Sequence, residues 1–129
     1  MQDIPGKMAK FHALIPWRWL FGICLCCVLV LALIPSTASP STGWDKSNHL
    51  LAFAVLTFLA RRAWPGRTWP VLLGLVAFGG LIEILQAFTP DRSADWDDLL
   101  ADSISIAAMW LIDMALMRAL ALLRKYRPA

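Results

Sequence analysis

The sequence predicts an all-α membrane protein with four transmembrane helices joined by short loops. Three observations support this: the composition, the grouping of the apolar residues and the positions of the basic ones. Of 129 residues, 59% are hydrophobic and only 16% are charged, whereas soluble chains are nearer one quarter charged. The mean hydropathy is +0.61. The apolar residues form four blocks, at Leu20–Pro35, Leu50–Ala60, Trp69–Phe88 and Leu99–Met117.

The basic residues predict the orientation of these helices. Ten of the twelve lie in alternate segments of the chain. They are Lys7, Lys10 and Arg18 before the first block, Arg61, Arg62 and Arg67 after the second, and Arg118, Arg124, Lys125 and Arg127 after the fourth. Because positive charge favours the cytoplasmic side, both termini and the middle loop are expected inside the cell. The two outer loops carry Asp45, Asp91, Asp95, Asp97 and Asp98 against Lys46 and Arg92.

The first helix is expected at residues 19–35, after a cytoplasmic N-terminal segment at residues 1–18. Its three cysteines, Cys24, Cys26 and Cys27, are interpreted as small apolar packing groups. The small residues Ser36-Thr37-Ala38 leave a signal peptide as an alternative. The preceding apolar stretch is long for the core of a signal peptide, which favours a membrane helix.

The second to fourth helices are expected within residues 45–117, followed by a basic cytoplasmic tail at residues 118–129. The apolar part of the second block is shorter than the roughly 20 residues that cross a bilayer. It reaches that length only if the helix begins near Asp45, which places Lys46 and His49 in its outer turns. Pro70 suits the first turn of the third helix, where its missing N–H costs nothing.

The tryptophans support these boundaries, because indole rings favour the level of the lipid headgroups. Trp110 alone is expected in the middle of a span. The others are expected at boundaries or in outer loops: Trp17, Trp19, Trp64 and Trp69 inside, Trp44 and Trp96 outside.

Ionisable residues within the spans are the first functional candidates, since each costs a few kcal/mol in a bilayer. In the third span, Gly79, Glu83 and Gln86 share one helical stripe. In the fourth, Asp98, Asp102 and Asp113 fall on one side. Asp113 lies nearer the cytoplasmic end, so it is expected to pair with Arg62 or Arg118.

The start of the second span, the end of the third and the start of the fourth all reach the outer face. We therefore predict one outward-facing polar pocket at this face. Its candidate residues are Asp45, Lys46, His49, Glu83, Gln86, Arg92, Asp95, Asp98 and Asp102. The structural alternative is that the aspartates cap helices and Glu83 forms an interhelical hydrogen bond. No metal or cofactor is assigned, although Glu83, Asp98 and Asp102 offer oxygen ligands for a hard divalent cation.

Three short motifs also resemble the VanZ-like family of small bacterial membrane proteins. They are Asp45-Lys46-x-x-His49-x-x-x-Phe53, Gly79-x-x-Ile82-Glu83-x-x-Gln86 and Pro90-x-Arg92-Ser93-x-Asp95-x-x-Asp98. The resemblance covers roughly Asp45 to Ala108. Asp102 stands where many members have Asn, and Ser105 stands where Gly is usual. The resemblance implies a multi-pass protein of the bacterial cytoplasmic membrane and an association with low-level teicoplanin resistance, since the founding member has that association.

Two functions are expected to involve a lipid-linked cell-wall precursor or another envelope lipid, and nucleic acid is not an expected partner. In the first, the protein binds or shields the headgroup, with Lys46, His49 and Arg92 holding phosphate by charge-assisted hydrogen bonds. In the second, it is an enzyme that uses His49, Glu83 and Asp98 on such a lipid, with His49 and Glu83 as general acid and base.

An ion-coupled transporter is the third alternative. It would use Glu83, Asp102 and Asp113 as a proton relay through the membrane. The sequence shows no internal repeat of the kind on which many transporters are built. The pattern of residues therefore favours the two lipid-directed functions.

Overall fold

The computed structural model describes residues 15–34, 45–90 and 92–126, with only the backbone described at residues 45 and 46. Within these ranges the chain forms four α-helices and no strand. They are α1 (Trp17–Leu33), α2 (Asp45–Ala63), α3 (Thr68–Ala87) and α4 (Trp96–Lys125). The all-helical prediction is confirmed. Two of these helices, α3 and α4, are long and apolar enough to cross a membrane, and α1 is apolar but shorter.

Prolines and a glycine account for the ends of the first two helices. Ile34 leaves the helical conformation, with ψ of 150°, because a residue that precedes a proline disfavours the α region. The α2–α3 turn contains Pro65 and then Gly66, whose φ of 82° falls in the left-handed region that glycine tolerates. The helix α1 begins and ends two residues earlier than the predicted range of 19–35.

The helix α4 is longer than its apolar block predicts. The carboxylate of Asp95, its N-cap residue, accepts a hydrogen bond of 2.9 Å from the Asp97 N–H. The helix has 30 residues and is therefore about 45 Å long. It continues to Lys125, through most of the segment predicted as a tail, and its residues 115–125 are exposed.

The helix α2 lies at the centre of the bundle and contacts the other three helices. Its buried side chains Phe53, Leu56 and Ala60 form the middle of the apolar core. The core is completed by Leu72 and Leu75 with Ile82 from α3 and by Ile106 from α4. Polar side chains lie at both ends of this core. We call the end formed by the start of α2, the end of α3 and the start of α4 the acidic end, and the end at the α2–α3 turn the arginine end.

One buried aspartate fixes the position of α4 at the arginine end. Asp113 is 3% exposed, and its carboxylate accepts from Arg61 Nε at 3.2 Å and from Arg62 Nη1 at 2.6 Å. The predicted pair with Arg62 is confirmed, whereas Arg118 is exposed. The ring of Trp110, which the sequence predicts in mid-span, lies 5.9 Å from that of Trp69, because α4 passes the α2–α3 turn near its own midpoint.

Candidate functional site

A histidine lies between two aspartates at the acidic end. His49, in the second turn of α2, has Nδ1 3.1 Å from Asp102 Oδ1 and Nε2 3.3 Å from Asp98 Oδ2. Both aspartates come from the first two turns of α4, four residues apart and therefore on one face. With Glu83 of α3, these residues form what we call the His49 cluster. Its imidazole ring is held from both nitrogens.

Glu83 joins the cluster to the start of α4. Its side chain is buried, with 2% exposed, and its Oε2 accepts a 2.7 Å hydrogen bond from the backbone N–H of Asp95. An N-cap N–H is often satisfied by an acidic side chain three residues further along the same helix. Here a glutamate from another helix takes that role, and Asp98, at the third helical position, contacts His49 instead.

Asp102 occupies a space that a glycine leaves open. It is 0% exposed, and a Cβ added at Gly79 would lie 2.9 Å from its Oδ2. The stripe predicted in the third span is buried as expected, and Gly79 makes room there for a carboxylate of α4. Asp102 Oδ2 and Glu83 Oε1 are buried without a hydrogen-bond partner among the described residues.

Three members of the cluster have the geometry of a metal-binding group. One ring nitrogen of His49 and one carboxylate oxygen each of Glu83 and Asp98 lie within 4.8 Å of one another. Glu83 and Asp98 are buried and His49 is half-buried. The sequence suggested a different set of three, Glu83, Asp98 and Asp102. Asp102 contacts the ring nitrogen of His49 opposite to the one that Asp98 contacts, so it lies on the other side of the ring.

The remaining predicted site residues have other partners or lie outside the described residues. Gln86 Nε2 donates to the carbonyl of Ala32 at 3.0 Å. The guanidinium of Arg92 donates twice to the carbonyl of Ile34, at 3.2 Å from Nε and 3.0 Å from Nη2. These two side chains thus hold the end of α1, where the last carbonyls lack helical partners. Asp95 caps α4, and the side chains of Asp45 and Lys46 lie outside the described residues.

Two buried hydroxyls, one near the cluster and one in the apolar core, were not predicted as functional. The hydroxyl of Ser105 donates to the carbonyl of Leu50 and so joins α4 to α2. Gly is usual at this position in the VanZ-like family that the motifs resemble. Thr57 donates to the carbonyl of Phe53, one turn earlier, at 2.6 Å. A Thr in mid-helix commonly makes this local bond whether it is buried or exposed, so the sequence alone offers no signal that Thr57 is buried.

The polar groups at the two ends of the bundle are far apart. Asp113 follows Asp102 by eleven residues in α4, a distance of about 16 Å by helical rise. Its two arginine partners hold it at the arginine end. A relay through Glu83, Asp102 and Asp113 would therefore have to cross the apolar core around Leu56 and Ile106.

A cavity of 330 Å³ lies between α1, α2 and α3, and no member of the His49 cluster lines it. Apart from Arg67, its walls are apolar; they include Phe21, Leu25, Trp64, Val71 and Phe78. Such a surface suits hydrocarbon rather than a polar ligand. The three cysteines of α1, which the sequence predicts as packing groups, are free thiols: Cys24 is half-buried, and Cys26 and Cys27 are exposed.

A protein-family model described as VanZ/LLP1 matches residues 8–118. The chain therefore belongs to the VanZ/LLP1 family, as its three motifs predict. The match includes all four residues of the His49 cluster. No curated protein and no solved structure gives a significant match.

Proposed function

We propose that this member of the VanZ/LLP1 family is a four-span protein of the bacterial cytoplasmic membrane that hydrolyses the headgroup of a lipid-linked cell-envelope component. In this proposal the acidic end faces outward and both termini are cytoplasmic. The basic residues around the arginine end support that orientation by the positive-inside rule.

The depth of the cluster supports a substrate at the outer membrane surface. Glu83 lies four residues before the end of α3, about 6 Å along the helix. His49 and Asp98 lie similarly close to the starts of α2 and α4. A lipid whose chains remain in the bilayer would therefore present its phosphate or sugar at this level.

The observation that carries the proposal is the position of His49 between Asp98 and Asp102. A general acid–base catalyst needs a fixed ring orientation, and a carboxylate on one ring nitrogen provides it while the other nitrogen faces the reaction. We assign orientation to Asp102, which is fully buried, and proton transfer to Nε2 of His49, where the attacking water would take the place of the 3.3 Å contact with Asp98. Water is the nucleophile: its oxygen bonds to phosphorus and one of its protons passes to His49. The bond between phosphorus and the lipid oxygen breaks, and that oxygen takes up the proton from His49.

Incubation of the purified full chain with defined envelope lipids tests this proposal. The substrates are an isoprenyl diphosphate, a lipid-linked disaccharide diphosphate and a phosphatidylglycerol vesicle, with products identified by mass spectrometry. Wild type should release a headgroup or phosphate, and His49→Ala should reduce that rate by about 10²-fold or more. Asp97→Asn, at an exposed position beside Asp98, is the matched control and should retain the wild-type rate. Equal rates in wild type and His49→Ala would contradict the assignment.

Family membership supports a second candidate, in which the same site binds and shields a cell-wall precursor without turnover. Expression in a glycopeptide-sensitive Gram-positive host separates the two when teicoplanin and vancomycin tolerance are compared at equal membrane levels. Shielding predicts raised teicoplanin tolerance, lost in Glu83→Gln, with no lipid product in the purified system. A lipid product that depends on His49 would instead favour hydrolysis.

A further inference from the structure

We infer that His49, Glu83 and Asp98 form a binding site for one divalent transition-metal ion, for which zinc is the best match, and that Asp102 is a positioning residue for His49. The starting observation is geometric. One candidate ligand atom from each of the three residues lies within 4.8 Å of the other two. They come from three different helices, so folding of the bundle assembles the set.

The chemistry of these donors selects the class of ion. One imidazole nitrogen with two carboxylate oxygens suits zinc or a neighbouring transition metal, whereas magnesium and calcium favour oxygen ligands alone. Tetrahedral zinc, with bonds of about 2.0–2.1 Å, places neighbouring ligand atoms about 3.3 Å apart. The distance between His49 Nε2 and Asp98 Oδ2 is 3.3 Å. Three protein ligands would leave a fourth position for water, as in catalytic zinc sites.

A buried oxygen without a partner points independently to a ligand. Glu83 is 2% exposed, and its Oε1 has no hydrogen-bond partner among the described residues. Its other oxygen is held by the Asp95 N–H, so the carboxylate cannot rotate away without breaking that bond. Buried polar atoms in folded proteins are almost always satisfied. A metal ion bound beside His49 and Asp98 would satisfy this one.

The contact between Asp102 and His49 is the arrangement that supports a metal-bound imidazole. A histidine ligand usually donates its second ring N–H to a carboxylate, which fixes the ring for the metal. Asp102 Oδ1 lies 3.1 Å from Nδ1, on the opposite side of the ring from Asp98. Gly79 leaves the space in which this carboxylate lies. Asp102 therefore acts through His49 rather than as a fourth ligand.

The inference deepens the proposed function and, for its catalytic meaning, rests on it. With the ion bound, His49 Nε2 would serve as a ligand, so the ion rather than His49 would activate the attacking water, and the proton of the water would pass to a carboxylate of the cluster. The ion would also place positive charge where negative charge develops. Binding of the ion requires no lipid, so the two proposals can fail separately. The competing explanation is an ion pair with Lys46, whose side chain lies outside the described residues.

Direct metal binding to the purified full chain tests the inference. The protein is stripped with a chelator in detergent, and zinc, manganese and magnesium are then titrated against a competing indicator of known affinity. Wild type should bind one zinc per chain more tightly than manganese and should show no site for magnesium. Glu83→Gln and Asp98→Asn, which preserve shape, should each weaken zinc binding by at least about tenfold, and Asp102→Asn by about 10–100-fold.

Two controls make the result decisive. Asp97→Asn, exposed and adjacent to Asp98, should bind zinc as wild type does, and circular dichroism shows whether each variant is folded. Lys46→Ala should leave zinc binding intact or strengthen it. Wild type without stoichiometric zinc, or folded Glu83→Gln and Asp98→Asn variants with unchanged affinity, would overturn the inference. Lipid hydrolysis that persists in chelator would overturn the catalytic role of the ion and leave the proposed function standing. Stoichiometric zinc binding without any lipid turnover would support the metal site and contradict the proposed function.

Discussion

The adjacent glycines of α3 offer a matched pair of substitutions beside the His49 cluster. A Cβ at Gly79 would lie 2.9 Å from Asp102 Oδ2 and 3.2 Å from Leu99 Cδ1. A Cβ at Gly80 would meet nothing within 4 Å. We therefore expect Gly79→Ala to displace Asp102, whereas Gly80→Ala adds a methyl group in open space.

The comparison isolates the cost of that contact. Each substitution removes a helical glycine, a gain of up to about 1 kcal/mol that both variants share and that therefore cancels in the difference. Overpacking a well-filled interior costs about 1–3 kcal/mol. Gly79→Ala should thus be less stable than Gly80→Ala by about 1–3 kcal/mol. Because Asp102 holds His49 at 3.1 Å, its displacement should also weaken zinc binding by about tenfold or more.

Unfolding of both variants by sodium dodecyl sulfate in mixed micelles, followed by circular dichroism, measures the difference in the free energy of unfolding. The zinc titration then measures the effect on the site. Gly79→Ala with stability and zinc affinity equal to those of Gly80→Ala would refute the placement of Asp102 against α3. Reduced stability with unchanged zinc affinity would refute its role in positioning His49.

Two further predictions concern the polar contacts outside the cluster. Asp113→Asn leaves Arg61 and Arg62 without their buried carboxylate and should lower the free energy of unfolding by about 3 kcal/mol. Arg118→Ala, at an exposed position of the same helix, should change it by less than about 0.5 kcal/mol in the same unfolding assay. Arg92→Ala removes both hydrogen bonds to the Ile34 carbonyl, so hydrogen exchange by mass spectrometry should show faster exchange in the last turn of α1. Zinc affinity of this variant should stay within about twofold of wild type, and a larger loss would show that Arg92 also holds the His49 cluster in place.

The apolar blocks predicted the helices because each is bounded by prolines, glycines and charges that end a helix. Their lengths were less predictable. The fourth block ends at Met117 by composition, but Arg118, Ala119 and Leu120 are good helix formers and the helix continues to Lys125. The position of Trp110 along the bundle axis, beside Trp69, depends on which residues of α4 pass the α2–α3 turn. That register is fixed by Asp113 and cannot be read from hydropathy.

The candidate site was predictable in part, for reasons specific to each residue. His49, Asp98 and Asp102 follow helical spacing, and the chain topology brings Glu83 to the same end. Arg92 differs because its chain position permits contact with either Glu83 or the end of α1. The guanidinium of Arg92 donates to the Ile34 carbonyl, which has no helical partner, and the Asp95 N–H donates to the carboxylate of Glu83. Which of two possible partners a side chain contacts depends on their positions in three dimensions, so the sequence alone could not predict it.

The most direct test of whether the His49 cluster binds a ligand or only joins helices is its stability with and without zinc. In chelator, Glu83→Gln should be more stable than wild type, because the amide oxygen can still accept from the Asp95 N–H while a buried carboxylate is removed. Zinc at about 100 times its dissociation constant for wild type should stabilise wild type by about 2.7 kcal/mol, and should stabilise Glu83→Gln, which binds at least about tenfold more weakly, by at most about 1.4 kcal/mol. A cluster that only joins helices gives the opposite result: zinc stabilises neither protein, and Glu83→Gln is the less stable in both conditions.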